Sequence, residues 1–361
     1  MAVARVTLDQ VARRAGVSRT TASFVLTGRR DMRISADAEE RVTRAARELS
    51  YRPNLLARSL RTNLSHTIGM VSDVVATEPF AGDLVRGSMT SALLLERLMF
   101  VGETGGDAGV EQHLVQSMLD RGVDGFLYAA MYTRAVRPSP LLRGQALVLL
   151  NCVARQKGVP CVVPDDRSAG RTAARALLDA GHREGIYLVG ETPANVLAAR
   201  DRLAGVEAEL AADGVALAGR VDTLWWPGAA HEAVGKLLAS DVRPSALVCL
   251  NDRIALGAYQ ALGDVGLRAP SDVSLVSFDD SDLASWMDPG LDSVAIPHFE
   301  MGRRAVELLL ADKRRSGVHR VVMGLHSRGS IAAPARPRSP VTRRVSPAGS
   351  APRADAASRR R

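Results

Sequence analysis

From Thr67 onward the chain repeats one pattern. A run of three to six mostly apolar residues is followed by a longer stretch whose apolar positions recur at helical spacing. The apolar runs are 68–71, 99–101, 126–129, 146–150, 186–189, 246–250 and 273–278. The helical stretches between and after them include 82–97, 109–121, 168–180, 200–212, 254–265 and 299–310. Parallel strands must be joined by crossovers, so this alternation predicts parallel, Rossmann-like sheets flanked by helices. Seven strands over about 260 residues suit two such lobes better than one sheet.

The first 50 residues obey a different rule. Thr7-Leu8-Asp9-Gln10 is a capping box, and Leu8, Val11, Ala12 and Ala15 form a helical stripe behind it. Gly16 stops that helix, Val17 turns inward, and Ser18 caps a second helix running from Arg19 to about Leu26. A third helix starts after Ser35, with Asp37, Glu39 and Glu40 at its positive end and Arg44 and Arg47 near its negative end. Its buried stripe is Ala38, Val42, Ala45 and Leu49. Two helices joined by a tight glycine turn, the second exposing Arg19, Thr20 and Ser23, form a helix-turn-helix. Such a second helix fits the major groove of duplex DNA, where its first residues reach base edges. Ser18, Thr21 and Ser23 can hold phosphates together with helix-terminal amides. By themselves these residues fit a small basic helical bundle equally well.

Charge placement adds to this. Residues 1–61 carry 13 arginines against six acids, a net +7, and residues 328–361 carry nine against one, a net +8. Because the whole chain is only +8, residues 62–327 are acidic by about seven charges. A basic head on an acidic body points to a polyanion partner at the head. Only Lys157, Lys236 and Lys313 interrupt an otherwise all-arginine set of 47 basic residues, and arginine suits phosphate and guanine. Residues 328–361 also hold five prolines and no aromatic residue, which reads as a disordered, solvated tail.

The run Val6-Thr7-Leu8-Asp9-Gln10-Val11-Ala12-Arg13-Arg14-Ala15-Gly16-Val17-Ser18-Arg19-Thr20-Thr21-Ala22-Ser23 resembles the opening of the LacI/GalR family of bacterial transcription regulators. Ile34-Ser35, Tyr51-Arg52-Pro53-Asn54 and Ala57-Arg58-Ser59-Leu60 continue the resemblance. In the body it is carried by Ile68-Gly69, Gly181-His182, Arg202-Leu203-Ala204-Gly205, Asn251-Asp252-Arg253-Ile254-Ala255-Leu256-Gly257 and Ser277-Phe278-Asp279-Asp280. The resemblance implies an all-α helix-turn-helix headpiece (5–51), a hinge helix (52–65) and a two-lobed α/β effector domain (66–333) like periplasmic sugar-binding proteins. A basic tail (334–361) follows.

Carried over residue by residue, it implies that Arg19 and Thr20 read bases and that Ser23 touches a base or phosphate. Thr7, Ser18, Thr21, Asn54 and Ala57 join the DNA-binding set. Leu60 matches the hinge leucine that wedges into a minor-groove step, an unstacking that closer wrapping must offset; its bland alternative is a linker residue packed on the body. Two departures stand out. Phe24 sits where the family usually has arginine, and the turn Arg29-Arg30-Asp31-Met32-Arg33 is longer than usual.

In the body, the cleft between the lobes is the implied effector site, contacted by Asp73, Asn151, Arg202, Trp226, Asn251 and Asp279. Carboxylates and amides bridge hydroxyls, Arg202 donates a fork, and Trp226 offers a flat face, so a sugar or related polyol fits. Asp73 and Trp226 match the family more loosely; a solvated acid and a core aromatic are their alternatives. The pairs Asp165-Asp166 and Asp279-Asp280 are not catalytic dyads, since adjacent side chains point apart in extended chain.

No G-x-S-x-G, H-E-x-x-H, Walker lysine loop or early G-x-G-x-x-G is present, so an enzyme is not expected, and no motif asks for a cofactor or metal. Cys152, Cys161 and Cys249 form no C-x-x-C pair and read as thiols. No apolar run spans a bilayer, and no signal core opens the chain, which makes a cytoplasmic, nucleoid-associated protein the expectation. The rival is a solute-binding protein without DNA function. The favoured reading is a homodimeric regulator, most simply a repressor, on a near-palindromic double-stranded operator and under control of a small effector. No leucine heptad follows the body, so a C-terminal coiled-coil tetramer is not expected.

Overall fold

The computed structural model describes residues 6–27, 33–51, 64–77, 81–155, 158–312 and 315–334. The hinge residues Asn54, Ala57 and Leu60, the Arg29–Asp31 turn and the tail beyond residue 334 lie outside them.

The headpiece consists of α1 (Leu8–Ala15), α2 (Arg19–Leu26) and α3 (Ala36–Glu48). Each begins where a hydroxyl can satisfy an orphan amide: Thr7, Ser18 and Ser35 accept from the backbone N–H three residues on. Gly16 takes the left-handed conformation, φ 65°, that ends α1 and aims the chain into α2. Val11, Ala12, Ala15, Ala22, Val42 and Ala45 make the core, with Leu8, Val17 and Leu49 packed on it.

The rest of the chain runs β1 (Thr67–Ser72), α4 (Gly82–Leu94), β2 (Leu98–Glu103), α5 (Ala108–Asp120), β3 (Phe126–Ala129), β4 (Ala135–Val136), β5 (Leu147–Leu150), β6 (Val153–Ala154) and β7 (Cys161–Pro164). It continues α6 (Asp166–Asp179), β8 (Ile186–Val189), α7 (Leu197–Ala212), β9 (Gly219–Val221), α8 (Pro227–Ala239), β10 (Ala246–Cys249) and α9 (Asp252–Asp264). The last elements are β11 (Ser274–Asp279), α10 (Asp282–Trp286), β12 (Asp292–Ala295), α11 (His298–Leu310), β13 (Val318–Val321) and β14 (Gly324–His326).

These elements divide between two units. One holds residues up to 166, 193–201 and 296–323; the other holds 167–192, 202–295 and the chain from 324 on. The first contains a six-stranded sheet in the order β13-β7-β5-β3-β1-β2, every pair parallel. The second has β14-β12-β11-β10-β8-β9, parallel except for the antiparallel edge strand β14. Central strands such as β1 and β10 are buried along their length, as parallel strands covered on both faces must be.

Two glycine pairs set how closely helices approach. A Cβ on Gly87 of α4 would strike the Phe299 carbonyl of α11, and one on Gly302 of α11 the Leu84 carbonyl. Gly170 of α6 and Gly205 of α7 meet the carbonyls of Arg202 and Arg167 in the same reciprocal way. The second pair holds the backbone of Arg202 against its neighbouring helix.

The strands and helices expected within the described residues are present, with ends shifted by a few residues; the hinge helix lies outside them. Helix α4 stops at Leu94 rather than 97, and α7 begins at Leu197 rather than 200. Nine elements had no sequence expectation: β4, β6, β7, β9, α8, α10, β12, β13 and β14.

Candidate functional site

In the headpiece, the Ser18 hydroxyl accepts from the Thr21 amide at 3.0 Å and lies 2.8 Å from the Thr21 hydroxyl, so both side chains fix the first turn of α2. Arg19 and Thr20 stand exposed beside that turn, while Ser23 and Phe24 are half-buried one turn on. The Arg19 guanidinium lies 3.5 Å from Asp9, an exposed pair worth little in water. Thr7 is occupied with its capping box, its amide donating to Gln10 Oε1 at 2.8 Å.

In a doubly wound sheet, ligands gather at the carboxyl ends of the strands where strand order reverses. In the first unit the reversal falls between β1 and β3, and Asp73 follows β1 directly. Its carboxylate accepts from the Val74 amide at 2.7 Å, from the Met131 amide beyond β3 at 3.0 Å, and from Arg134 Nη2 at 2.7 Å. Burial works against the Arg134 charge, yet hydrogen bonding and attraction from Asp73 outweigh it and hold the guanidinium pKa above its ordinary value. Asn151, after β5, is buried with φ 56°. Its amide donates to the carbonyls of Ala130 and Met131 at 3.0 and 3.1 Å, and its oxygen accepts from Thr133 at 3.0 Å. Asp73 and Asn151 therefore grip one peptide from two sides.

In the second unit the reversal falls between β8 and β10. Arg202 reaches it from α7. Only 2% of its side chain is exposed. Nη1 donates to the Leu250 carbonyl at 2.6 Å and lies 3.4 Å from Asp279 Oδ1, and the guanidinium sits 4.8 Å over the Phe278 ring. Asn251, the next residue after Leu250, caps α9 by accepting from the Ile254 amide at 2.8 Å. Arg202, Asn251 and Asp279 are thus gathered at one strand end.

Asp279 has φ 106° and Asp280 φ 54°, so the two carboxylates part company. Asp279 faces Arg202, whereas Asp280 meets His326 at 2.5 Å and Arg328 at 2.7 Å. That turn is held from beneath by Asp252. Its buried carboxylate accepts from Ser277, from Ser293 at 2.7 Å, and from the amide and hydroxyl of Ser281 at 2.7 and 2.8 Å. Burial pushes its pKa up, against those four hydrogen bonds. Trp226 is 57% exposed at the start of α8, with the Arg253 guanidinium 4.6 Å over its ring. It is therefore not a core aromatic. The indole beside Arg202 is Trp225, 6.0 Å away, whose N–H donates to the Glu191 carbonyl at 3.1 Å.

Sequence reasoning missed Arg134, Trp225 and Asp252. Asp252 lies inside a motif used for the resemblance, but nothing local marks it as a clamp for residues 277–293. Among the described residues no group of three or more acids, histidines or cysteines could hold a metal, and Cys152, Cys161 and Cys249 are buried free thiols. No helix among them is long and apolar enough to cross a membrane.

Two family models match the chain. Residues 7–54 fit "Bacterial regulatory proteins, lacI family", and residues 65–322 fit "Periplasmic binding proteins and sugar binding domain of LacI family". The ribose operon repressor of Haemophilus influenzae is 32% identical over 312 residues, covering 84% of this chain and 91% of its own. A putative LacI-family transcriptional regulator from Rhizobium etli superposes with TM-score 0.67 at 30% identity, over 74% of this chain and 99% of that one. The lac repressor dimer, solved with operator and the anti-inducer ONPF, superposes with TM-score 0.73 over 91% of this chain and 100% of that one; its 24% identity speaks for the fold alone.

Proposed function

The chain belongs to the LacI family of bacterial regulatory proteins, and from that premise we propose that it is a sequence-specific transcription repressor whose grip on its operator is set by a sugar or related metabolite. The observation that carries the proposal is the opening of α2. Ser18 and Gly16 hold a helix whose first two residues, Arg19 and Thr20, are exposed and polar, the form a major-groove reader needs. Ser23, Thr21, Ser18 and Thr7 support it against phosphates, and Asn54, Ala57 and Leu60 extend the contact through the hinge. Binding to operator DNA puts the protein to work at the nucleoid. A solute-binding protein without DNA function leaves the headpiece match unexplained.

The effector is held by Arg202, Asn251 and Asp279 in the second unit, with Asp73 and Asn151 in the first and Trp226 offering an exposed ring. An arginine–aspartate pair nearly sealed from water can donate to one hydroxyl and accept from the next, the pattern a polyol presents. An effector that prefers one state of the protein shifts the population competent for DNA.

The working form is a homodimer. Leu93 and Leu94 at the end of α4 are each 77% exposed, and Leu98 and Phe100 on edge strand β2 are exposed beside Met89. So many exposed large apolar side chains within residues 89–100 support an interface there, and a two-fold pair places two recognition helices on a near-palindromic site. The test is a thermal-shift screen of pentoses, hexoses and their phosphates on the full chain, followed by operator binding with each stabilising compound. A sugar that raises the melting point and changes operator affinity supports the reading. Sugars that leave both unchanged refute effector control by this class.

A further inference from the structure

Among the described residues, two successive crossovers in the first unit carry no α-helix. Residues 130–146, from β3 to β5, hold β4 and a 3-10 turn at Pro140–Leu142, and the described residues of 151–160, from β5 to β7, hold only β6. Alternate β5 residues Val148 and Leu150 enter the main core of the unit. Leu147 and Leu149 point to the other face, where Leu147 packs on the cluster of Val115, Met118 and Leu142 and Leu149 joins Val136 and Cys152. A concavity of about 790 Å³ lies there. Half-buried Leu147 and Val159 and exposed Pro140 are among its apolar lining residues, and it also carries Arg137, Arg143 and Arg155, all exposed.

Surface arginines are ordinarily solvated or paired, and this unit pairs them elsewhere: Arg97 with Asp124, Arg134 with Asp73, Arg303 with Glu300. Among the described residues no acid lines the concavity, and none of its three arginines makes an ion pair. Three uncompensated guanidinium groups around an apolar floor form a site with two demands, an anion for the forks and a carbon skeleton for the floor. Its volume falls within the roughly 300–1,000 Å³ of small-molecule sites. A nucleic acid backbone would satisfy the arginines and leave the floor unused.

We propose that this concavity is a second ligand site, taking a small organic anion whose phosphate or carboxylate meets Arg137, Arg143 and Arg155 while its apolar body covers Leu147, Val159 and Pro140. It shares no residue with the Asp73 or Arg202 constellations and stands independently of the effector reading.

The experiment titrates 1-naphthyl phosphate and 1-naphthoate into the full chain, following the fluorescence of the naphthyl group, with neutral 1-naphthol titrated in the same way and inorganic phosphate added as a competitor, the two being the halves of the ligand. Both anions are expected to saturate, and each half alone to bind more weakly. The triple variant R137A/R143A/R155A should weaken both anions by at least about tenfold, and the single Arg143→Glu variant in the same direction. Arg202→Lys should leave them unchanged. Equal affinity in the arginine variants, loss of binding in Arg202→Lys, or no saturation at millimolar probe overturns the proposal. Unaltered circular dichroism and melting temperature check that the variants are folded.

Discussion

Arg19 and Arg202 are the same residue type in opposite circumstances. Arg19 is exposed on a capped helix end, loosely paired with Asp9, so it loses little by turning toward a guanine edge. Arg19→Ala is expected to cost about 1–3 kcal/mol of operator affinity and to relax one base position, read by fluorescence anisotropy on operator variants; equal losses on operator and random DNA would contradict base reading. Arg202 is sealed in, and Arg202→Ala leaves Asp279 without its guanidinium. We expect a stability loss of about 3 kcal/mol together with loss of the sugar-induced melting shift. Arg202→Lys keeps the charge without the fork, so it should lose the ligand shift while recovering most of the melting temperature. His182 lies at the other end of the second sheet, where its ring meets Ser245 at 3.1 Å and Ser274 and the Ala332 carbonyl at 3.0 Å. Burial lowers its pKa. As pH falls below the unfolded value of about 6.5, the unfolded chain takes up a proton that the buried ring resists. Stability therefore drops, by at most about 1.4 kcal/mol per pH unit. Between pH 7.5 and 5.5 the native protein should lose more melting temperature than His182→Gln; parallel losses would show that the ring does not titrate on unfolding.

At the scale of elements, legibility followed the locality of the signal. The headpiece helices could be read because Thr7, Ser18 and Ser35 cap them within three residues. Most buried strands could be read because parallel strands are apolar throughout, although buried β7, Cys161–Pro164, is short and ends on a proline and could not. Strand β9, Gly219-Arg220-Val221, and strand β12, Asp292-Ser293-Val294-Ala295, could not. Their sequences carry no alternation, and β12 tolerates a buried aspartate only because the amides of Arg328 and Gly329 donate to it from 36 residues away or more. The site divides the same way. Arg202 and Asp279 were visible through their motifs, whereas Arg134, Trp225 and Asp252 acquire their roles from partners distant in sequence. The apolar end of α4 and strand β2 gives this scale its own prediction. Leu98→Arg puts a charge on the exposed face, and sedimentation velocity should show the dimer replaced by monomer with far-UV circular dichroism unchanged. A variant that stays dimeric would move the interface elsewhere.

For the whole molecule, the proposed function joins two chemistries in one chain: DNA reading by a basic headpiece and binding of a small polar effector by an acidic body. The basic head, net +7 over residues 1–61, makes operator binding strongly salt-dependent, since each phosphate contact releases counterions. Salt attraction alone, however, would hold any duplex. The most direct test of the central claim is selection of bound sequences from a random duplex library by the purified full chain, at moderate salt and with candidate sugars present or absent. The account predicts enrichment of a two-fold symmetric sequence whose recovery changes when the effector sugar is added and whose most constrained position relaxes in Arg19→Ala. Recovery of unenriched sequence under every condition would contradict it.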